Sequence, residues 1–501
     1  MLFTSYPFIF VFLPITLLGF FLLGRFFGAK LSALWLALAS VFFYGYWNSE
    51  HVPLLLGSII FNFYTGYIIS RNHANRRTIA RAALYIGVVG DLALLAYYKY
   101  ADFFLGEISR VAGLEFSTLS IIMPIGISFF TFTQIAFLVD AWRGKASEYN
   151  FWHYLLFVTW FPHLIAGPIL HHGQMMSQFK DQSIYKANSK NIATGLIIFI
   201  VGLSKKLMIA DPISAFADPV FTAVSQGHTV GPIVAWSGAI AYTLQIYFDF
   251  SGYSDMAVGL SMMFGIALPI NFNSPYKAQS IIEFWRRWHI TLSQFLRDYL
   301  YITLGGNRHG ERRRLLNLML TMLLGGLWHG AAWTFVAWGA LHGTYLCINH
   351  AYRKLPQQFR LDGLLPEFAT KLINTGITFV AVIVAWIYFR ASDISSAHTM
   401  LAGMLGEKGA QWGEILGQLS ITRFLALTIF ALVIVWTMPN VYNLIESLER
   451  KIELSLNDSY TSPIASKLHI PIAMISAALF IASMSFTFGV NVISPFIYFN
   501  F

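Results

Sequence analysis

Long runs of apolar residues separated by short polar loops form the main pattern along this chain. Runs of about 17–25 such residues can cross a hydrocarbon core roughly 30 Å thick. The candidate runs lie at 7–24, 32–47, 53–70, 82–99, 119–139, 151–170, 191–210, 230–250, 315–348, 372–390, 422–438 and 470–489. A weaker run at 252–268 is a further span or a re-entrant piece. The pattern predicts an all-α polytopic membrane protein with about 11–13 transmembrane or re-entrant helices.

The polar stretches between these runs are too short to form a soluble domain. The longest of them lie near 275–314, 353–370 and 440–467. We therefore expect a single multi-spanning membrane domain over residues 1–501. The chain shows no internal repeat and no low-complexity tract, which counts against an inverted-repeat transporter.

The composition agrees with a membrane protein. Only 11% of the residues are charged, whereas soluble domains carry about 25%. The 17% of aromatic residues suits rings that settle at the two headgroup layers. The net charge of +9 comes from residues in short loops, so it indicates membrane orientation rather than nucleic-acid binding. A single cysteine, Cys347, excludes an internal disulfide.

The basic residues predict an orientation. The first loop carries Arg25 and Lys30, and the third carries four arginines between 71 and 81, whereas loop 47–52 contains only the acidic Glu50. The positive-inside rule places the first and third loops in the cytoplasm and the N-terminus on the periplasmic side. The apolar start, from Pro7 to Leu23, is predicted to be a retained span and not a cleaved signal peptide.

Segment 274–350 combines a basic stretch with a broken apolar run. Its first part is rich in basic residues and is predicted to be cytoplasmic; these are Lys277, Arg286, Arg287, Arg297, Arg308, Arg312, Arg313 and Arg314. Residues 283–300 have a helical period and predict one amphipathic helix at the membrane interface. Its apolar arc contains Phe284, Trp285, Trp288, His289, Leu292, Phe295, Leu296 and Tyr299. At the edge of that arc, His289 is either an interface anchor or a functional residue.

The glycines of this segment indicate turns and close helix contacts. Gly305 and Gly306 form either a connecting turn or a nest of N–H groups for an anion. Run 315–348 is too long for one straight span and too short for two, so a tilted, broken or re-entrant helix fits best. Within it, the pairs Gly326/Gly330 and Gly339/Gly343 have the spacing that permits close helix packing.

His329 lies inside this apolar run, between Trp328 and Gly330. A titratable residue within a membrane is costly and often lines a functional path. The alternative is a structural histidine bonded to a neighbouring helix. On a continuous helix His342 would point about 140° away from His329, which predicts a packing role for His342.

Three stretches together resemble one family. They are Glu-Phe-Trp-Arg-Arg-Trp-His-Ile-Thr-Leu-Ser at 283–293, Phe-Leu-Arg-Asp-Tyr at 295–299 followed by Gly-Gly-Asn-Arg at 305–308, and Gly-Leu-Trp-His-Gly-Ala at 326–331. The chain resembles the membrane-bound O-acyltransferases, specifically the bacterial branch with the alginate O-acetyltransferase membrane subunit. Supporting stretches at 123–129, 162–168, 247–255 and 386–391 extend the likeness over nearly the full length. Small departures occur at Thr291, Gln294 and Thr303, and none affects the two histidines.

The resemblance implies a catalytic role for His329, with His289 as its partner. It also suggests substrate contacts at Trp328, Arg286, Arg287, Asp298, Asn307 and Arg308, with no metal and no bound cofactor. The implied fold surrounds a central funnel or tunnel in the bacterial inner membrane, in contact with membrane lipids. The implied donor is acetyl-CoA or another acyl thioester.

The implied acceptor is an exported polysaccharide such as alginate, reached through a periplasmic hydrolase-like partner. D-alanyl transfer to teichoic acid is an alternative, and sterol or lipid acylation fits less well. A transporter for an anionic metabolite belongs to a different class, as does a scaffold role.

Acyl transfer from a thioester to a hydroxyl requires a base for the hydroxyl proton and dipoles that face the developing oxyanion. Histidine titrates near neutral pH and can serve as that base. Covalent acyl transfer through His329 is equally compatible with the sequence. The basic stretch also suits an anionic donor.

Overall fold

The computed structural model describes residues 1–47, 49–113, 119–165, 167–417, 419–447, 462–489 and 496–497. Among these residues there is no β-strand, and a single bridge joins Val230 to Ala410. Part of the polar stretch predicted at 440–467 lies outside the described residues.

The first half of the chain contains α1 (Leu13–Phe27), α2 (Ala29–Trp47), α3 (Val52–Asn72), α4 (Arg77–Leu95), α5 (Ala101–Ala112), α6 (Ile127–Trp142), α7 (Phe151–Thr159), α8 (Phe161–Leu164), α9 (His172–Met176), α10 (Ser189–Ser204), α11 (Asp211–Ser225) and α12 (Pro232–Met263). The second half contains α13 (Ile281–Arg287), α14 (Ile290–Phe295), α15 (Gly310–His329), α16 (Trp333–Tyr352), α17 (Leu361–Leu364), α18 (Glu367–Arg390), α19 (Ile394–Met404), α20 (Trp412–Leu416), α21 (Ile421–Thr437), α22 (Val441–Ser447) and α23 (Ser462–Gly489). The helices confirm the predicted all-α fold.

Within the described part of the chain, six helical stretches are long and apolar enough to cross a membrane. They are Pro7–Phe27, Ala29–Trp47, Ser49–Asn72, Arg77–Ala112, Ser189–Ser225 and Glu367–Arg390. Helices α21 and α22, which are bent by 52° at their junction, make a seventh if they form one broken span. Other predicted runs form shorter apolar helices, such as α6. The predicted 11–13 helices therefore include several that are not full-length spans.

Two predicted runs have different boundaries in the structure. The expected span at 151–170 is interrupted, because Trp160 leaves the helical conformation and Pro162 lies in the first turn of the short α8. Proline fits the first turn of a helix but not its interior. The weak run at 252–268 was predicted to be separate, yet most of it continues α12, which ends at Met263.

The chain divides into two compact units. The first comprises Met1–Ile200 with Tyr253–Ile270, and the second comprises Val201–Gly252 with Asn271–Phe501. The expectation of one membrane domain stays a prediction. Both candidate histidines belong to the second unit.

In the second unit, α15 and α16 form a tightly packed helical hairpin. The chain leaves the helical conformation after His329 and resumes it at Trp333, so of the tilted, broken or re-entrant helix that was predicted, the structure has the broken form. A Cβ on Gly326 would overlap the carbonyl oxygen of Phe335, and one on Gly339 would overlap the carbonyl oxygen of Met322. These glycines therefore permit the close backbone contact that their spacing predicted.

We predict that Gly339→Ala destabilises the hairpin by about 1–3 kcal/mol, because overpacking a close contact forces the backbones apart. Thermal unfolding of the purified protein in detergent measures the change. Gly376→Ala in α18 is the matched control, since a Cβ there meets no atom within 4 Å. Equal unfolding temperatures for the two variants would contradict the proposed packing role of Gly339.

Candidate active site

His289 lies where the predicted helix over 283–300 breaks, so the prediction of one continuous helix was wrong. Trp288 is extended, and His289 has left-handed backbone angles, with φ 43° and ψ 55°. The backbone oxygen of Asn271 accepts from Ile290 N–H at 2.9 Å, and its side-chain oxygen accepts from Thr291 N–H at 3.2 Å. Asn271 thereby supplies acceptors for the first amide groups of α14, which a helix cannot satisfy internally.

The interface-anchor interpretation of His289 was also wrong, because the side chain is completely buried in the protein. The Phe250 ring packs edge-on against His289 at a centroid distance of 4.8 Å. Trp328 lies on another side at 6.4 Å. The apolar arc of the helix predicted at the membrane interface is instead buried within the protein, except for the half-buried Tyr299.

Asn271 determines the tautomer of His289. Its Oδ1 accepts from the Thr291 amide and hydroxyl, so this atom is the oxygen of the side-chain amide. His289 Nδ1 lies 3.1 Å from the same oxygen. Since an amide oxygen only accepts, Nδ1 must donate, and neutral His289 carries its lone pair on Nε2. That nitrogen can act as a base or accept a hydrogen bond.

His329 is the last residue of α15, with 4% of its surface exposed. Three aromatic rings surround it: Trp328 at 4.9 Å, Trp338 at 5.0 Å and Phe389 at 5.1 Å between centroids. Because Trp328 also packs on His289, it is in contact with both histidines. The structure thus brings the two predicted histidines together through Trp328, which was predicted to contact substrate.

His342 belongs to the same cluster, which the sequence did not predict. The estimate that it points about 140° away from His329 assumed a continuous helix, but the chain reverses between α15 and α16. The Trp338 ring lies 4.8 Å from His342 and 5.0 Å from His329. The i, i+4 spacing of Trp338 and His342 was the available signal. Below, "the aromatic cluster" means Trp328, His329, Trp338, His342 and Phe389.

The remaining predicted substrate contacts lie outside this cluster. Arg286, Asn307 and Arg308 are exposed. Arg287 pairs with Glu283 at 2.8 Å, and Asp298 pairs with Arg297 at 2.7 Å. Their proposed binding roles stay predictions.

The Gly305–Gly306 segment forms a turn. The Gly305 N–H donates to the carbonyl of Ile302, and the Gly306 N–H donates to that of Tyr301. Asn317 Nδ2 in turn donates to the Gly306 carbonyl at 2.9 Å. Since both glycine amides are used within the chain, the anion-nest interpretation is not supported.

Residues 127–392, which are more than half of the chain and include His289, His329 and His342, match the model of the membrane-bound O-acyltransferase family. The chain belongs to this family. It is therefore an O-acyltransferase and a multi-pass membrane protein, as the resemblance implied. The acyltransferase is 45% identical to a peptidoglycan O-acetyltransferase of Helicobacter pylori, over 82% of this chain and 80% of that protein.

Two further relatives indicate the range of acceptors in the family. The acyltransferase is 42% identical to the probable alginate O-acetylase AlgI of Pseudomonas aeruginosa, over 83% of this chain and 77% of that protein. It is 28% identical to a teichoic acid D-alanyltransferase of Streptococcus thermophilus, over 54% of this chain and 69% of that protein. The acetyl-transferring relatives are thus the more similar of those compared.

We predict that Asn271→Ala lowers turnover about tenfold, the effect of losing roughly 1.4 kcal/mol of hydrogen-bond positioning. Turnover of the purified enzyme is measured beside His289→Ala and the double variant. Because Asn271 acts through His289, the double variant should be no slower than His289→Ala.

Asn271→Asp keeps the acceptor oxygen and should retain most of the activity. Independent, multiplicative losses in the double variant, at equal thermal stability, would show that Asn271 does not act through His289.

Proposed function

We propose that this acyltransferase moves an acetyl group from a cytoplasmic thioester to hydroxyl groups of an exported polysaccharide, with His329 as the base. The supporting observation is the position of His329, buried among Trp328, Trp338 and Phe389 in a chain of this family. Exclusion of water from such a site protects a thioester from hydrolysis. A neutral imidazole takes a proton near physiological pH.

The length of α15 supports transfer across the membrane. Its first turns carry the basic residues Arg312, Arg313 and Arg314, which the positive-inside rule assigns to the cytoplasm. His329 lies 15 residues beyond Arg314, or about 22 Å along the helix axis. A catalytic group at this depth suits a donor from the cytoplasm and an acceptor from the opposite side.

Ion pairs hold the basic ends of α15 and α16 together. Glu311 pairs with Arg314 at 2.8 Å and with Lys354 at 3.0 Å. The hydrogen bond from Lys354, together with the charges of Arg314 and His350, holds the pKa of Glu311 below its ordinary value. The carboxylate is therefore ionised at neutral pH, and the two helices end at the same predicted cytoplasmic face.

A cavity at this face is our candidate for the donor site. It has a volume of about 660 Å³ and is lined by α13, α16, α18 and the segment between α16 and α18. Ligand sites commonly have volumes of about 300–1,000 Å³. Its wall includes Tyr345, whose ring lies 5.8 Å from His342. The cavity thus adjoins the aromatic cluster.

The cavity offers a cation for an anionic thioester such as acetyl-CoA. Arg360 and Lys371 pair with the carboxylates of Asp362 and Glu367. Arg353 instead approaches a neutral group, the Ser280 hydroxyl, at 3.5 Å. We therefore assign Arg353 to the acidic part of the donor.

The relatives support a cell-envelope polysaccharide as the acceptor, because the two more similar ones are named for peptidoglycan and alginate. In our proposal a periplasmic hydrolase-like partner receives the acetyl group on its own nucleophile and passes it to the polymer. D-alanyl transfer to teichoic acid is less favoured, since that relative matches a smaller part of the chain. A transporter would not consume thioester.

We predict that a deletion strain complemented with His329→Ala lacks the base-labile acetyl that wild type restores to peptidoglycan or exported polysaccharide. Loss of the base should reduce transfer at least about 100-fold. His228→Ala, which alters an exposed histidine, is the matched control, and membrane levels are checked by blot. Equal acetylation by His329→Ala and wild type would remove His329 from the mechanism.

For the donor site, we predict that Arg353→Ala raises the KM for acetyl-CoA about tenfold, corresponding to roughly 1.4 kcal/mol of a charge-assisted contact. The value of kcat should change little, because Arg353 lies away from the reacting atoms. Arg423→Ala, an exposed arginine of α21, serves as the control. An unchanged KM in Arg353→Ala would exclude the proposed contact.

A further inference from the structure

Two buried N–H groups of α16 have no hydrogen-bond acceptor among the residues that the structure describes. They are Nε1 of Trp338, which is 1% exposed, and Nε2 of His342, which is fully buried. Buried polar atoms in native proteins are almost always hydrogen-bonded, so each exception requires an explanation. Two such donors one helical turn apart suggest that both bind the same ligand group.

The tautomer of His342 follows from its neighbour Trp285. The indole Nε1–H of Trp285 donates to His342 Nδ1 at 3.2 Å. An indole nitrogen can only donate, so Nδ1 must be the acceptor. Neutral His342 therefore carries its proton on Nε2 and offers a donor there.

Helix α16 places the two donor residues side by side, and one of them, Trp338, packs against His329. Residues four apart on a helix lie on the same face, and the rings of Trp338 and His342 are 4.8 Å apart. The Trp338 ring packs edge-on against His329 at 5.0 Å. Phe389 contacts both His329, at 5.1 Å, and Trp338, at 5.3 Å, and closes the cluster with apolar surface.

We propose that Trp338 Nε1–H and His342 Nε2–H bind the carbonyl oxygen of the thioester and stabilise its oxyanion. This inference rests on the proposed function. The acceptor hydroxyl oxygen attacks the carbonyl carbon, its proton passes to His329, and the carbonyl π electrons move onto the oxygen held by the two donors. Collapse of this intermediate re-forms the carbonyl and breaks the carbon–sulfur bond. The sulfur takes the proton from His329, so ester and thiol are the products.

Fixed neutral donors suit this task because they need no rearrangement as negative charge develops. The aromatic cluster contains no arginine or lysine, and the arginines at 286 and 308 are exposed. Stabilisation of the oxyanion therefore falls to N–H dipoles and not to a cation. Water is excluded around them, which strengthens each hydrogen bond.

The test compares purified wild type with Trp338→Phe and His342→Phe, which keep an aromatic ring and remove the donor. Acetyl-CoA is the donor, and soluble peptidoglycan fragments and alginate oligosaccharides, each with a periplasmic extract of the native host that supplies the proposed partner, are the acceptor probes. Each variant should lose about 100-fold in kcat, the usual effect of removing one oxyanion donor, with the KM for acetyl-CoA within about twofold.

Two further variants separate chemistry from packing. His342→Gln can still accept from Trp285 and donate from its amide nitrogen, so it should recover at least tenfold of the kcat that His342→Phe loses. Trp386→Phe is the matched control, because that buried indole already donates to the Tyr276 hydroxyl at 3.2 Å. It should lower thermal stability and keep kcat within about threefold of wild type.

The outcomes distinguish this inference from the proposed function. If His329→Ala abolishes transfer while Trp338→Phe and His342→Phe keep wild-type kcat, the oxyanion assignment is overturned and the proposed function stands. If His329→Ala transfers acetyl normally, or wild type transfers none to either probe, the proposed function itself fails. If Trp338→Phe does not fold, His342→Phe and His342→Gln decide. Glutamine restores the acceptor for Trp285 in either case, so the oxyanion assignment requires a higher kcat in His342→Gln at equal fraction folded, and equal kcat values would overturn it.

Discussion

The two carbonyl groups of Asn271 hold the chain in the conformation on which the site depends. They bind the first amides of α14 and allow His289 to take a left-handed conformation. That conformation costs a non-glycine residue roughly 1–2 kcal/mol, so it persists only where surrounding contacts enforce it. The same asparagine orients the imidazole ring. The backbone conformation and the tautomer of His289 therefore have one common cause.

A comparable constraint acts on His342 with the opposite result. Asn271 accepts a hydrogen bond from Nδ1 of His289, whereas Trp285 donates one to Nδ1 of His342. The neutral rings consequently present a lone pair in one case and an N–H in the other at Nε2. Since both are buried, neither ring can turn over without losing its partner. One residue type thus supplies an acceptor at His289 and a donor at His342.

The sequence predicted features that depend on local pattern. Apolar runs predicted the helices, and the glycine spacing predicted the contact of α15 with α16. The sequence did not predict the helix break at His289, because the apolar period continues on both sides of this residue. The cause of the break, Asn271, lies 18 residues away in the chain. The position of His342 was missed for a related reason. The rotation of about 100° per residue relates side-chain directions only within one helix. Because the chain leaves the helical conformation after His329, the directions of side chains on α16 cannot be counted from α15.

The glycine contact and the proposed chemistry are coupled in the α15–α16 hairpin. Gly326 precedes His329 by less than one helical turn, and Gly339 directly follows Trp338. The backbone contact at these two glycines therefore sets how closely the indole approaches the imidazole, which is now 5.0 Å between ring centroids. Any side chain that separated the helices would also withdraw Trp338 from His329. Small residues are thus required here for the alignment of donors with the base as much as for stability.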